Sequence, residues 1–151
     1  MKLIGEGGHA KVVRTLEAQR TGAICAIGNN LDRKKEVEAR PGWEWGIARH
    51  RLSIVNESFI DEGTVIMAGV IVQPGCRIGK HVILNTACSI DHDCVIDDYA
   101  HIAPGAHLCG NVRVGEGSLV GVGVGVAPNT KIPEWSLVKA HRIDIESISN
   151  H

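Results

Sequence analysis

From residue 54 to residue 138 an aliphatic side chain recurs at every sixth position: Ile54, Ile60, Ile66, Val72, Ile78, Leu84, Ile90, Ile96, Ile102, Leu108, Val114, Val120, Val126, Ile132 and Val138. An α-helix repeats every 3.6 residues and an alternating strand every two, so neither explains this spacing. A solenoid does. The series predicts one short strand and one corner per hexapeptide, each aliphatic pointing inward, with stacked coils burying one continuous core. Three hexapeptides closing a triangular coil place residues eighteen apart in vertical register, at about the 4.8 Å spacing of neighbouring strands. The repeats amount to roughly five coils, enough for a stable stack.

Two further columns keep the same register. The fifth position of each hexapeptide is small or β-branched, from Ser58 and Thr64 through Cys76, Cys88 and Cys94 to Thr130 and Ser136, as a narrow interior requires. The fourth position is mostly Gly, Asn or Asp (Gly63, Gly69, Gly75, Asp93, Gly105, Asn111, Gly117, Gly123, Asn129), and His81 shares the column. These are the residue types that tolerate positive φ, which a sharp corner needs.

The first fifty residues differ in kind. A short apolar run, Lys2 to Ile4, leads into Gly5-Glu6-Gly7-Gly8-His9, and Ala10, Val12, Val13 and Leu16 then suggest a helix. Ala23 to Ile27 reads as a buried strand ending in Gly28-Asn29-Asn30; Leu31 to Arg40 reads as an exposed, charged helix stopping at Pro41-Gly42. Trp45 to Ala48 suggests a third strand. The organisation expected is a shortened Rossmann-like α/β lobe over 1–50, a mainly β solenoid over 51–140 and a C-terminal tail over 141–151. So thin a lobe leans on the solenoid for stability.

The net charge of −1 gives no basis for nucleic-acid or membrane-surface binding driven by charge. No apolar run resembles a signal peptide or spans a bilayer, and the five cysteines form no C-x-x-C pair. A cytoplasmic protein with free thiols is expected. Cys76 and Cys94 stand eighteen apart in the small-residue column, which packing explains.

Among the histidines, His92 falls at an outward corner beside Asp93, while His101 and His107 fall at outward sixth positions. An imidazole in an accessible groove suits general-base chemistry near neutral pH, and a neighbouring carboxylate would orient it and raise its basicity. Any one of these residues is equally an ordinary surface polar group. Gly5-x-Gly7-Gly8, between strand and helix, is either a structural turn or an anion site.

The array resembles the left-handed β-helix acyltransferases. Gly5 to Val13, Ala26-Ile27-Gly28-Asn29-Asn30 with Arg33, Leu84-Asn85-Thr86, Asp91 to Ile96, His101 to Ala106 and Gly110-Asn111-Val112 match one family among them. It contains sialic acid O-acetyltransferases and N-acetyltransferases for nucleotide-linked amino sugars, such as the UDP-4-amino-sugar and GDP-perosamine enzymes. The resemblance implies acetyl-CoA as co-substrate, no metal, and direct acetyl transfer to the amino group of a nucleotide-linked sugar. It assigns His92 as the base, Asp93 as the acid that holds it, and His101 and Gly110 to the acetyl-CoA side. Gly5, Gly7, Gly8, Gly28, Asn29 and Asn30 fall on the nucleotide-sugar side, and a homotrimer is implied, with active sites between subunits. Arg20-Thr21-Gly22 stands where the family usually has an extra strand ending in acidic residues, and no clear coil follows Val138. A weaker hold on the nucleoside and part of the coenzyme A groove are the expected consequences.

The alternatives are O-acetylation of a sialic or related sugar, a non-catalytic trimeric scaffold, and a γ-type carbonic anhydrase. The last requires two histidines five apart and a third two coils upstream; the spacings here are six (His101, His107) and nine (His92, His101).

Overall fold

The computed structural model describes residues 1–140, so the tail expected over 141–151 lies outside the described residues. The elements run β1 (Lys2–Ile4), α1 (Gly8–Val13), β2 (Glu17–Arg20), β3 (Ala23–Cys25), α2 (Asn30–Glu38) and β4 (Ile47–Arg49). Fifteen two-residue strands follow, from β5 (Ile54–Val55) to β19 (Leu137–Val138).

These strands wind into a three-sided prism. The first face stacks β4, β7 (Val65–Ile66), β10 (Ile83–Leu84), β13 (His101–Ile102), β16 (Leu119–Val120) and β19 in parallel. The second carries β5, β8 (Ile71–Val72), β11 (Ser89–Ile90), β14 (His107–Leu108) and β17 (Gly125–Val126); the third runs from β6 (Phe59–Ile60) to β18 (Lys131–Ile132). Pairing joins residues eighteen apart, as in Leu84↔Ile102 and Ile90↔Leu108. The sixth-position aliphatics from Ile66 to Val120 are buried to within a few per cent and form the core with the small fifth-position residues. Polar members of that column are satisfied between coils. Thr64 Oγ1 donates to the Gly79 carbonyl at 2.8 Å and accepts the Val82 amide at 3.1 Å. The thiols of Cys76 and Cys94 donate to the carbonyls of Asp91 and Cys109, and both are free.

Every sixth residue from 57 to 135 has positive φ, including Ala87, Tyr99 and Trp135, which composition alone does not mark as corner residues. A non-glycine residue in this region costs about 1–2 kcal/mol, and the aromatic members recover part of it by packing along the column. His81 stacks on Tyr99 with centroids 5.3 Å apart and meets Trp45 edge-on at 4.8 Å. Buried to 3% exposure, His81 titrates only near pH 4, because burial penalises its charged form.

The first coil corrects the six-residue rule. Val55 pairs with Val72, and Ile54 with the outward Ile71, so Val55 packs on the core and Ile54 is 52% exposed. The corner between β5 and β6 is one residue short, and the strict series starts at Ile60. Arg49 pairs with Ile66 and bonds Ser53 through Nε at 2.8 Å, giving the first coil a polar end.

The lobe holds only two of its strands in a sheet of their own, β1 parallel to β3. Helix α1 is shorter than the apolar spacing suggests; it ends at Val13, and Leu16 is buried just before β2. β2 does not join β1 and β3. It pairs antiparallel with β4 and extends the first face of the prism, so lobe and solenoid share a seven-stranded sheet. Helix α2 is not wholly exposed, since Arg33 and Val37 are buried.

Substituting Ile90 by Ala should cost about 2–5 kcal/mol, the usual range for a buried aliphatic, whereas Ile54→Ala should cost little. Urea unfolding of the two variants checks the shifted register.

Candidate active site

His92 and Asp93 occupy the corner between β11 and β12 (Val95–Ile96). Asp91 Oδ1 accepts the His92 amide at 2.7 Å and Asp93 turns the chain with φ of +59°. Neighbouring coils clamp the backbone: the Asp93 amide donates to Pro74 and the Asn111 amide to the His92 carbonyl. Both side chains still project into solvent, at 61% and 67% exposure. Asp93 Oδ2 lies 2.8 Å from His92 Nδ1 and raises the histidine's pKa, chiefly through that hydrogen bond. The contact places the proton of the neutral ring on Nδ1 and leaves the Nε2 lone pair free.

Glycines above and below make room for the pair. A Cβ at Gly110, one coil on, would lie 2.6 Å from His92 Nε2, and one at Gly75, a coil before, would run into Asp93 Oδ1. The buried Gly110 amide donates to no acceptor among the described residues. His92 Nε2 therefore lies over Gly110, whose N–H is unengaged among the described residues.

His101 is elsewhere. It points outward from β13 as its register requires, but the N-terminal lobe covers it, so it is not a freely exposed residue. The Asn85 amide stands 3.0 Å from its Nε2, and Asn85 Oδ1 accepts the Thr86 amide, which orients the Asn85 NH₂ toward the ring. Nε2 is thus the acceptor, and the ring proton sits on Nδ1. His9 lies beside it with centroids 6.3 Å apart, its Nε2 buried without a hydrogen-bond partner among the described residues. Burial, with the Arg33 charge adding to it, holds His101 down to about 3 and His9 to about 4, so both rings are neutral. His107 is exposed on the second face and bonds Ser89 Oγ at 2.7 Å. Within one chain His92 and His101 stand on different sides of the prism.

The glycine run serves the lobe's own geometry. At Gly5, with φ of +112°, a Cβ would approach the Ala26 carbonyl to 2.8 Å. Gly7 and Gly8 are open, at the start of a helix of only six residues. Gly28 sits against the His9 ring. Asn29 Oδ1 caps α2 by accepting the Asp32 amide at 3.0 Å. Asn30 Nδ2 donates to the Gly117 carbonyl at 3.0 Å while its Oδ1 accepts from Arg33, so it ties lobe to solenoid. Sequence reasoning assigned no site role to His9 or Asn85. The available signal was register: Asn85 precedes His101 by sixteen residues, which brings it to the adjacent coil.

Among the described residues no three His, Cys, Asp or Glu side chains gather to hold a metal ion, and no helix is long and apolar enough to cross a membrane. No protein-family model matches the chain. Solved structures do. The acetyltransferase domain of PglB from Neisseria gonorrhoeae FA1090, in complex with acetyl coenzyme A, is 30% identical with a TM-score of 0.86 over 95% of this chain and 89% of that one. PerB from Caulobacter crescentus, in complex with CoA and GDP-perosamine, is 31% identical with a TM-score of 0.84 over 91% of this chain and 84% of that one. The GDP-perosamine N-acetyltransferase of Escherichia coli O157:H7 is 31% identical over 101 residues, 65% of this chain and 46% of its own length. The chain thus spans about half the length of that curated relative, and about a third of serine acetyltransferase 4 from Arabidopsis thaliana. Near-complete structural overlap at this identity, on a prism whose corner pairs a histidine with a carboxylate, shows that the chain belongs to the left-handed β-helix family of sugar acetyltransferases.

Proposed function

We propose that this chain is an acetyl-CoA-dependent N-acetyltransferase whose acceptor is the amino group of a nucleotide-linked amino sugar, working in the cytoplasm as a homotrimer. The observation that carries the reading is the proximity of His92 Nε2 to Gly110, whose N–H is unengaged among the described residues. An amine is a poor nucleophile while it keeps its proton. His92 Nε2 accepts that proton as the nitrogen attacks the thioester carbonyl carbon, and Asp93 stabilises the imidazolium through Nδ1. The Gly110 N–H donates to the carbonyl oxygen as it gains charge. When the carbon–sulfur bond breaks, His92 returns the proton to the departing thiolate, and no enzyme nucleophile is required. That suits a chain with four of its five thiols buried.

PerB, bound to GDP-perosamine, and PglB, bound to acetyl coenzyme A, support the substrate classes. The trimer is supported by the layout. His92 is bare on one corner, the His101–Asn85–His9 group lies on another side, and a second copy facing the first would close a groove between them.

Three outcomes test this reading. In a coupled thiol-release assay over UDP- and GDP-linked amino sugars and free sialic acids, an amino sugar nucleotide should be the preferred acceptor, and His92→Ala should lower its rate by roughly a hundredfold or more. A near-wild-type rate in that variant rules the mechanism out.

The pH profile tests Asp93. The carboxylate raises the His92 pKa, and only the unprotonated ring acts as base, so kcat/KM should fall as pH drops through that raised value. Asp93→Asn should shift this acidic limb to lower pH and reduce the plateau by about tenfold or more, because the tautomer is no longer held.

Light scattering should return about 49 kDa, three copies of the 16.2 kDa chain. A stable 16.2 kDa species at working concentration would contradict the shared groove.

A further inference from the structure

Arg33 heads the fully buried side chains by volume at 1% exposure, yet among the described residues it makes no ion pair. Its guanidinium bonds only neutral oxygens. Nε donates to the His81 carbonyl at 2.9 Å, and Nη1 to the carbonyls of Ile27 at 2.9 Å and Gly28 at 3.2 Å. Nη2 donates to the carbonyls of Tyr99 at 2.6 Å and Ala100 at 3.5 Å, and to Asn30 Oδ1 at 2.9 Å.

These oxygens belong to three separate stretches: the turn after β3, the corner at His81 and the corner at Tyr99 one coil later. The last leads directly into His101, and the Gly28 carbonyl faces the His101 ring from the lobe side. The guanidinium thus grips the backbone on both sides of this histidine. Filling space would not require it. An apolar side chain of similar volume occupies a buried site without desolvating a charge, and such replacements are often neutral or stabilising. What the planar fork supplies is direction, setting several carbonyls at fixed angles to one another.

We infer that Arg33 is a positioning residue for acetyl transfer: by bonding the Ile27–Gly28 turn and the His81 and Tyr99–Ala100 corners together, it holds His101 in the one orientation in which Nε2 accepts from Asn85. This rests on the acetyltransferase reading for its catalytic consequence, although the geometric claim stands apart from it. The Arg33 charge also opposes protonation of His9 and His101, in the same sense as their burial.

The test uses the full-length protein with Arg33→Met, which keeps most of the volume and removes every donor, and Arg33→Lys, which keeps the charge and loses the fork. Imidazole ¹⁵N spectra report the His101 tautomer, the signal being assigned by its loss in His101→Gln. Wild type should show a single neutral ring protonated at Nδ1. Both variants should lose that signature, with kcat/KM down by about a hundredfold, the scale of a small misplacement at a reacting centre. Arg33→Lys should not rescue either readout. An unchanged His101 signal in a folded Arg33→Met protein overturns the proposal whatever the rate does; if that variant does not fold, the same signal in Arg33→Lys decides. The tautomer is readable in a protein with no transferase activity, so a wild type inactive on every acceptor would refute the acetyltransferase reading and leave this one standing or falling on the spectrum.

Discussion

Each coil must close in eighteen residues so that its strands meet the hydrogen-bonding edge of the next, and the molecule is organised by that requirement. Closure demands three sharp turns per coil, each with one residue in the left-handed region. The aliphatic column then points inward, the fifth-position residue fills the corner from inside, and the residues before and after the turn are released to the surface. The chain can place reactive groups on those corners without disturbing the core, because the corner backbone is bonded to the coils on either side. His92 shows the benefit: its carbonyl and the Asp93 amide are bonded between coils while both side chains remain in solvent.

The same stacking explains why glycines flank the reactive pair. With coils about one strand spacing apart, any outward side chain at a corner overhangs its neighbours in the same column. At Gly75 and Gly110 a Cβ would collide with Asp93 and with His92. Gly75 also has φ of +80°, so its column would favour glycine for backbone reasons alone. Gly110 has no such conformational demand and is explained by the His92 ring lying over it.

How far the sequence reveals this depends on whether the relevant contacts lie along the repeat or across it. The core, the corners and the outward placement of His92 and Asp93 follow from counting in sixes, as the left-handed residues at Ala87, Tyr99 and Trp135 do despite their unsuitable chemistry. Counting fails at Ile54, where two adjacent aliphatics hide a corner one residue short. It fails again where the lobe docks. Arg33 sits in a run of charges that reads as a solvated helix face, and nothing local distinguishes it from Lys34 or Lys35. Its burial depends on the carbonyls of corners forty-eight and sixty-six residues away. His101 reads as exposed for the same reason, since the residues covering it lie outside the repeat. No strand is expected between α1 and β3, yet β2 lies there; Glu17–Arg20 carries no apolar alternation to mark it because its partner is a solenoid strand, not the sheet of the lobe that contains it.

The two histidines therefore illustrate opposite uses of one scaffold. His92 is exposed, paired with a carboxylate and raised in basicity, as a proton acceptor should be. His101 is covered, surrounded by neutral dipoles and the Arg33 charge, and held far below the range where it would protonate. A ring that never carries charge at neutral pH contributes fixed hydrogen-bond directions and shape, not proton transfer. The adjoining Nε2 of His9 is a buried polar atom with no hydrogen-bond partner among the described residues. Division of labour between a basic corner and a neutral, pre-oriented face requires the two to meet across a groove. One prism holds them on different sides, so a single chain cannot join them across one groove, which is the structural ground for proposing that a neighbouring copy supplies the facing wall.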